Sequence, residues 1–135
     1  MKPRTLLFVA GAAFIISYFL PAYSGSKGLE CFKFCWSLLW KYPGESPLKW
    51  LYYSGFVLTN IAFVIVFTLG LARSGFYKTR FIVTAVAFFH VLSWLLVNVR
   101  KEDITSIQAG YYLWLVAYVL LLASQISGSR KSKEA

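Results

Sequence analysis

The apolar residues of this sequence fall into four long stretches that are separated by short polar segments. The stretches cover about residues 5–22, 48–72, 81–99 and 107–126. An α-helix rises about 1.5 Å per residue, so about 20 apolar residues cross a hydrocarbon layer of about 30 Å. The pattern predicts four transmembrane helices, because helices satisfy every backbone polar group within lipid.

A fifth segment, at about 29–41, has the pattern of a shorter amphipathic helix. Its polar residues lie within an arc of about 80° at 100° per residue. A helix of this length extends only about 20 Å, which is too short to cross a bilayer. We expect it to lie in the membrane interface, although a short helix packed on the outer end of the bundle is compatible with the same pattern. The apolar face includes Leu29, Phe32, Trp36, Leu39 and Trp40.

The predicted fold class is therefore all-α: a transmembrane four-helix bundle with a short extracytoplasmic interfacial amphipathic helix. Residues 1–127 form a single integral membrane domain, and residues 128–135 form a polar tail that we expect to be disordered. The first stretch also has the features of a signal peptide, with a small-residue cleavage site at Ala22–Ser24. Its apolar run is long for a signal peptide, so a retained first span is the preferred interpretation.

Composition supports a lipid environment. Apolar residues make up 59% of the 135 residues and charged residues 14%, against about 25% charged residues in soluble domains. The formal net charge is +9, but the basic residues lie at the ends of the apolar stretches and not in one patch. This distribution favours contacts with anionic lipid headgroups and argues against a nucleic-acid partner.

The distribution of Lys and Arg predicts the orientation in the membrane. Eight of these residues lie on the side of the two termini and of the basic turn at 73–80, and six lie on the other side. The side richer in Lys and Arg usually faces the cytoplasm. We therefore expect a multi-pass protein of the cell (inner) membrane, with both termini in the cytoplasm and the interfacial helix outside.

Two strongly polar side chains, Asn60 and His90, fall inside predicted spans. Each lies about ten residues from the outer end of its span, which corresponds to a depth of about 15 Å. Adjacent antiparallel helices face each other, so we expect both side chains to point inward, within reach of a shared hydrogen bond. Tyr118 reaches a similar depth on the fourth span and is a candidate third partner. These three residues form the predicted buried polar or cofactor-binding group.

His90 has two interpretations. A histidine within a membrane can bind haem or a metal, or carry a proton. It can also be a neutral side chain that holds helices together. The sequence contains one histidine, which excludes a bis-histidine haem, and every Asp and Glu lies outside the predicted spans. We therefore prefer the structural interpretation, assign no metal and leave any cofactor unknown.

Cys31 and Cys35 are the two cysteines of the chain, and their C-x-x-x-C spacing matches neither a zinc-binding pair nor a C-x-x-C redox motif. Outside the membrane they are candidates for a disulfide or for a redox dithiol that exchanges with partners. Four-helix disulfide oxidases offer an analogy, but they require two thiol pairs. Two small apolar residues on a helix flank, or a bridge across one turn, are the preferred interpretations.

Two parts of the chain carry a resemblance: Phe19-Leu-Pro-Ala-Tyr-Ser-Gly25 followed by Gly28-Leu-Glu-Cys-Phe32, and Gly110-Tyr-Tyr-Leu-Trp-Leu115. They are similar to small uncharacterised four-span inner-membrane proteins of bacteria, and they cover under a third of the chain. The resemblance implies a bacterial origin, and the group has no agreed activity.

Three functions are compatible with these features. An uncharged apolar wall with little surface outside lipid favours a non-catalytic accessory or assembly subunit, which contacts membrane-protein partners or further copies of itself. The many aromatic residues around the level of His90 and Asn60 favour a module that binds a lipid, quinone or pigment, provided that a cavity exists there. A thiol-redox membrane enzyme that uses Cys31 and Cys35 is the third possibility. The sequence disfavours an enzyme, because no pattern of catalytic residues is present.

Overall fold

The computed structural model describes residues 2–41, 46–72, 76–101 and 104–134. It is almost entirely helical, as the apolar pattern predicts. The turns at 42–45 and 102–103, and the first part of the predicted basic turn, at 73–75, lie outside the described residues. The elements, in chain order, are α1 (Pro3–Ser17), β1 (Pro21–Tyr23), β2 (Ser26–Lys27), α2 (Gly28–Leu39), α3 (Pro47–Leu71), α4 (Tyr77–Arg100), a 3-10 turn (Ile104–Ser106) and α5 (Ala109–Glu134).

Three of the helices are long and apolar enough to cross a membrane. They are α3, α4 and the Ala109–Gly128 part of α5. Helix α1 is a shorter apolar helix of 15 residues, which corresponds to about 22 Å at 1.5 Å per residue. The all-helical prediction is confirmed, and three of the four predicted spans have the length and composition that a span requires.

Helix α1 ends at Ser17, five residues before the end predicted for the first span. The chain then forms a small antiparallel hairpin from β1 and β2, with Ser24 and Gly25 at positive φ angles of 46° and 84° in its turn. The hairpin brings the start of α2 back to the end of α1, where Leu29 N–H donates to the Tyr18 carbonyl at 2.9 Å. The first N–H groups and the last carbonyls of a helix have no partner within the helix. Here a carbonyl at the end of α1 accepts from an N–H at the start of α2.

The polar tail predicted to be disordered instead continues α5 through Glu134. Lys, Arg and Glu have high helix propensity, and no proline interrupts the segment. A tail of this composition extends a helix that has already been nucleated by the apolar stretch before it. Residue 135 lies outside the described part of the chain.

The core lies between α1, α3, α4 and α5. Helix α1 packs along α5 through small side chains, among them Ala10 and Ala117, which are both 0% exposed. Phe14 stacks on Phe63 of α3 at 4.0 Å between ring centroids. Small residues at a helix contact let two backbones approach closely, which favours dispersion contacts.

The outer faces of α3 and α4 are apolar and exposed. These faces have the character expected of surfaces that meet lipid or another membrane protein. They carry, among others, Leu58, Ile61, Ile65, Ile82, Val86 and Phe89.

Helix α2 lies across the end of the bundle and covers Gly28–Leu39, close to the predicted segment. Phe32 and Leu39 are partly buried and pack toward α3. Leu29, Trp36 and Trp40 are exposed, Trp40 at 77%. Part of the predicted apolar face therefore packs against the bundle, and the rest is exposed. The first part fits a helix packed on the end of the bundle, and the second fits a helix in the membrane interface.

Candidate functional site: a cavity beneath the short helix

A cavity of about 440 Å³ lies between α2 and the ends of the other four helices. Its wall includes residues from α1, the hairpin and every longer helix. Helix α2 cannot simply move away from this cavity, because Gly28 N–H and Leu29 N–H both donate to carbonyls at the end of α1. The cavity is consequently part of the folded architecture, with α2 and the hairpin as its outer cover.

Nine of the 19 residues that line the cavity are aromatic. The rings of Phe56 and Trp114 lie 5.9 Å apart between centroids, and those of Tyr23 and Trp94 lie 5.5 Å apart. Such walls bind flat apolar molecules through stacking and edge-to-face contacts. The aromatic residues that line the cavity are Tyr18, Tyr23, Phe32, Phe34, Tyr53, Phe56, Trp94, Tyr111 and Trp114.

Asn60 is the main polar group on the inner part of the cavity wall and is only 8% exposed. Its Nδ2 donates to the Phe56 carbonyl at 2.6 Å, one turn earlier on α3. Its Oδ1 accepts a hydrogen bond of 2.9 Å from the Tyr18 hydroxyl, at the end of α1. The side chain thus links α3 to α1 and remains in contact with the cavity.

His90 does not join this group. Its ring packs between Tyr52 and Phe56, at centroid distances of 5.1 and 4.6 Å, and it is half-buried. An ideal Cβ on Gly55 would lie 2.5 Å from His90 Nε2, so the ring fills the space that this glycine leaves. The predicted hydrogen bond with Asn60 is not formed: Asn60 bonds to Tyr18 and Phe56 instead, and His90 is not among the cavity-lining residues.

Tyr118 lies behind the cavity wall. It is 0% exposed, and its hydroxyl donates to the Thr59 carbonyl at 2.6 Å. Thr59 directly precedes Asn60, so the Tyr118 hydroxyl lies at about the same depth in the bundle as Asn60, as predicted from the sequence. It fixes α5 against α3 there, but it does not line the cavity.

Cys31 and Cys35 both line the cavity from α2, and both are free thiols. Residues four apart on a helix have Cβ atoms about 5–6 Å apart, whereas a disulfide requires about 3.5–4.5 Å. The regular helix therefore disfavours a bridge across one turn. Burial raises the pKa of the Cys35 thiol to about 11, and burial together with the nearby Glu30 carboxylate raises the pKa of Cys31.

The raised pKa of Cys35 predicts slow alkylation, because the thiolate is the nucleophile. In a Cys31→Ser variant at pH 7, we expect iodoacetamide to modify Cys35 about two orders of magnitude more slowly than an exposed thiol of pKa near 8.5. The rate should keep rising toward pH 11, as the thiol ionises. Mass spectrometry measures both rates, with Lys33→Cys in a background without the native cysteines as the exposed control on the same helix. Equal rates at pH 7 would show that Cys35 is open to water.

The rim of the cavity is more polar than its interior. Ser24 and Ser26 of the hairpin and Glu30 of α2 are exposed there. Glu30 Oε2 accepts a hydrogen bond of 2.8 Å from Lys27 N–H, and a carboxylate in the first turn of a helix stabilises it. Glu30 therefore has a structural role at the start of α2 in addition to its place at the rim.

Among the described residues, no group of three or more His, Cys, Asp or Glu side chains is arranged to hold a metal ion. The cavity instead combines aromatic walls with neutral hydrogen-bonding groups. Asn60 was named from the sequence, whereas Tyr18 and Trp114 were not. The signal for Tyr18 was the proline three residues later, which places the end of the helix close to it.

No family model matches the chain, and no curated protein or solved structure matches it.

Proposed function

We propose that this chain is an integral membrane protein that binds a small lipid-soluble molecule in the cavity beneath α2. The observation that carries this proposal is the cavity itself, with its aromatic wall and its one inner amide, Asn60. Ligand sites in proteins have volumes of about 300–1,000 Å³, apolar walls and a few placed polar groups. A volume of about 440 Å³ suits a ring system or one lipid chain, but not a whole two-chain phospholipid.

The membrane arrangement that fits this proposal has four spans, with α1 crossing beside α5. Helix α1 is short, but Lys2 and Arg4 at its start have long side chains that reach toward the headgroups. The excess of Lys and Arg on the side of the termini favours a cytoplasmic location for both ends. In this arrangement α2 and the cavity lie at the outer surface, and the sequence resemblance favours a bacterial inner membrane.

This topology predicts which introduced cysteines react from outside the cell. In a background with Cys31→Ser and Cys35→Ser, Lys33→Cys on α2 should react with an impermeant maleimide in intact cells. Lys78→Cys, at the start of α4, should react only after the membrane is permeabilised. Both native side chains are exposed, so a difference in labelling reports membrane sidedness. The opposite pattern would contradict the proposed orientation.

An accessory or assembly subunit is the second candidate function. It is favoured by the broad apolar outer faces of α3 and α4, which offer lateral contact to a membrane-protein partner or to a second copy. Lipid covers such faces equally well, so this observation supports the second candidate less directly than the cavity supports ligand binding.

A thiol-redox enzyme has less support. The pKa of Cys35 is raised to about 11 and that of Cys31 is also raised, whereas reactive cysteines have a lowered pKa. The sequence also lacks the second thiol pair that the analogy requires. An unchanged phenotype in the Cys31→Ser/Cys35→Ser variant would remove this candidate.

Native mass spectrometry of protein taken from its own membranes in mild detergent separates the two leading functions. The ligand proposal predicts one small apolar molecule per chain, which survives purification. A protein partner at fixed stoichiometry, with no small molecule bound, would contradict ligand binding and favour the accessory subunit.

A further inference from the structure

The chemistry of the ligand can be inferred from the hydrogen bonds around Asn60; this inference rests on the proposed binding function. The Phe56 carbonyl only accepts hydrogen bonds, so the Asn60 atom at 2.6 Å from it must be the amide nitrogen. The other amide atom is therefore the oxygen, and Tyr18 must donate to it. The orientation of the whole group is fixed by this chain of partners.

One donor of Asn60 remains after these bonds are counted. A side-chain amide has two N–H groups, and only the bond to Phe56 uses one of them. The carbonyl oxygen of the same side chain already accepts from Tyr18. Asn60 therefore keeps one free N–H donor, and its oxygen keeps one lone pair beside the bond from Tyr18.

Trp114 supplies a second donor. Its ring borders the cavity beside Phe56, and its buried Nε1 has no hydrogen-bond partner among the described residues. Leaving a buried donor unpaired is costly. Since Nε1 is enclosed by protein atoms, the indole has to turn to present its N–H to a ligand, and the missing hydrogen bond favours that turn.

The inner part of the cavity carries no charged side chain in the described chain; Glu30 lies at the rim. Two neutral donors between aromatic rings suit a neutral ligand with an acceptor atom. A ring carbonyl provides such an acceptor on a flat, apolar body, and the aromatic walls suit the flat faces of that body.

We propose that the ligand is a flat, lipid-soluble ring molecule whose carbonyl oxygen accepts hydrogen bonds from Asn60 and Trp114. Ring ketones and quinones share this chemistry. Hydrocarbon chains have no acceptor for the two donors. A sterol-like alcohol has an acceptor oxygen, but its saturated rings lack the flat π face that stacks on aromatic side chains. Binding requires no covalent or redox step.

The test compares two probes of the same shape: 2,3-dimethyl-1,4-naphthoquinone and 2,3-dimethylnaphthalene. The methyl groups block addition of Cys31 or Cys35 to the quinone ring. Affinities are measured by calorimetry for the full-length protein in detergent and for Trp114→Phe, which keeps an aromatic ring but lacks the N–H. We expect Trp114→Phe to weaken quinone binding about five- to tenfold more than hydrocarbon binding, the effect of one hydrogen bond. An equal loss for the two probes would show that only ring contacts were removed and would contradict the inference.

A second readout follows the indole N–H resonances by NMR in protein labelled with ¹⁵N-tryptophan. The Trp114 resonance is the one that remains when the other four are assigned by single Trp→Phe replacements of Trp36, Trp40, Trp50 and Trp94. It should move downfield with the quinone and not with the hydrocarbon. If Trp114→Phe does not fold, this shift in the unmodified protein decides the question.

The outcomes separate the ligand class from the proposed function. Equal binding of both probes, with no effect of Trp114→Phe and no shift of its resonance, would overturn the carbonyl inference and leave an apolar binding module. Failure of both probes to bind would overturn the inference together with the binding function.

Discussion

Replacing Gly110 with alanine should destabilise the protein by about 3 kcal/mol, at the upper end of the usual cost of overpacking. Gly110 is buried at the start of α5, against the end of α1. An ideal Cβ there would lie 2.7 Å from the Leu20 carbonyl oxygen, 2.8 Å from that of Pro21 and 3.0 Å from that of Ser17. All three neighbours are backbone atoms, so no side chain can rotate to make room.

The alanine at position 110 should also change the shape of the cavity, because Gly110 is one of its lining residues. Relief of the overlap requires α5 to move away from the end of α1. That movement separates Trp114 from the α1 side of the wall, where Tyr18 holds Asn60. Gly110→Ala should therefore weaken ligand binding as well as stability.

Gly128→Ala in the same helix is the matched control. An ideal Cβ on Gly128 meets only Tyr77 Cε1, at 3.7 Å, which is ordinary contact. Alanine has a higher helix propensity than glycine, so this variant should be unchanged or up to about 1 kcal/mol more stable. Unfolding in detergent measures both variants. Equal stability of the two would contradict the close contact between α5 and the end of α1.

Replacing Cys31 with phenylalanine should reduce ligand binding at least tenfold, or by more than about 1.4 kcal/mol. Cys31 lines the cavity from α2, and the larger ring occupies space that the ligand needs. The start of α2 is held by Gly28 N–H to the Leu20 carbonyl at 3.0 Å and by Leu29 N–H to the Tyr18 carbonyl at 2.9 Å. The helix therefore resists the outward shift that would restore the volume.

Lys33→Phe is the control for this second prediction. Lys33 is exposed on the same helix and does not line the cavity, so its replacement adds an equal ring without filling the site. Titration of the two variants with the quinone probe gives their affinities, and the unfolding temperature shows whether each remains folded. Similar affinities for the folded variants would place the ligand elsewhere.

The sequence predicted the long helices well because their apolar stretches are long and their ends are marked by local signals. The second span was expected at 48–72, and α3 covers Pro47–Leu71. The end of the first span was less predictable. It depends on the hairpin and on hydrogen bonds from α2, which bring together residues that a local pattern cannot relate.

The candidate site was predicted only in part, for a similar reason. Depth along a helix predicted Asn60 as a buried polar group, and Asn60 is 8% exposed in the structure. The predicted hydrogen-bond partner of Asn60 was His90 on the neighbouring span, but the observed partner is Tyr18 at the end of α1. The His90 ring instead occupies the space beside Gly55. The partner depends on rotation and tilt of the helices, and apolar patterns on all sides of a membrane helix specify these weakly.

The cavity itself has no signature in the sequence. It arises because α2, the hairpin and the other four helices meet without filling the space between them. Cys31 and Cys35 were considered as a pair with chemistry of their own, whereas the structure places both on the wall of this space.

The measurement that tests the central claim most directly is a cryo-electron microscopy structure of the protein purified from its native membranes, with a rigid antibody fragment bound for alignment. We expect density for a flat molecule between α2 and the helix ends, bordered by Phe56 and Trp114 and within hydrogen-bond distance of Asn60. A closed space, in which the aromatic side chains pack on one another around Asn60 with no additional density, would contradict it.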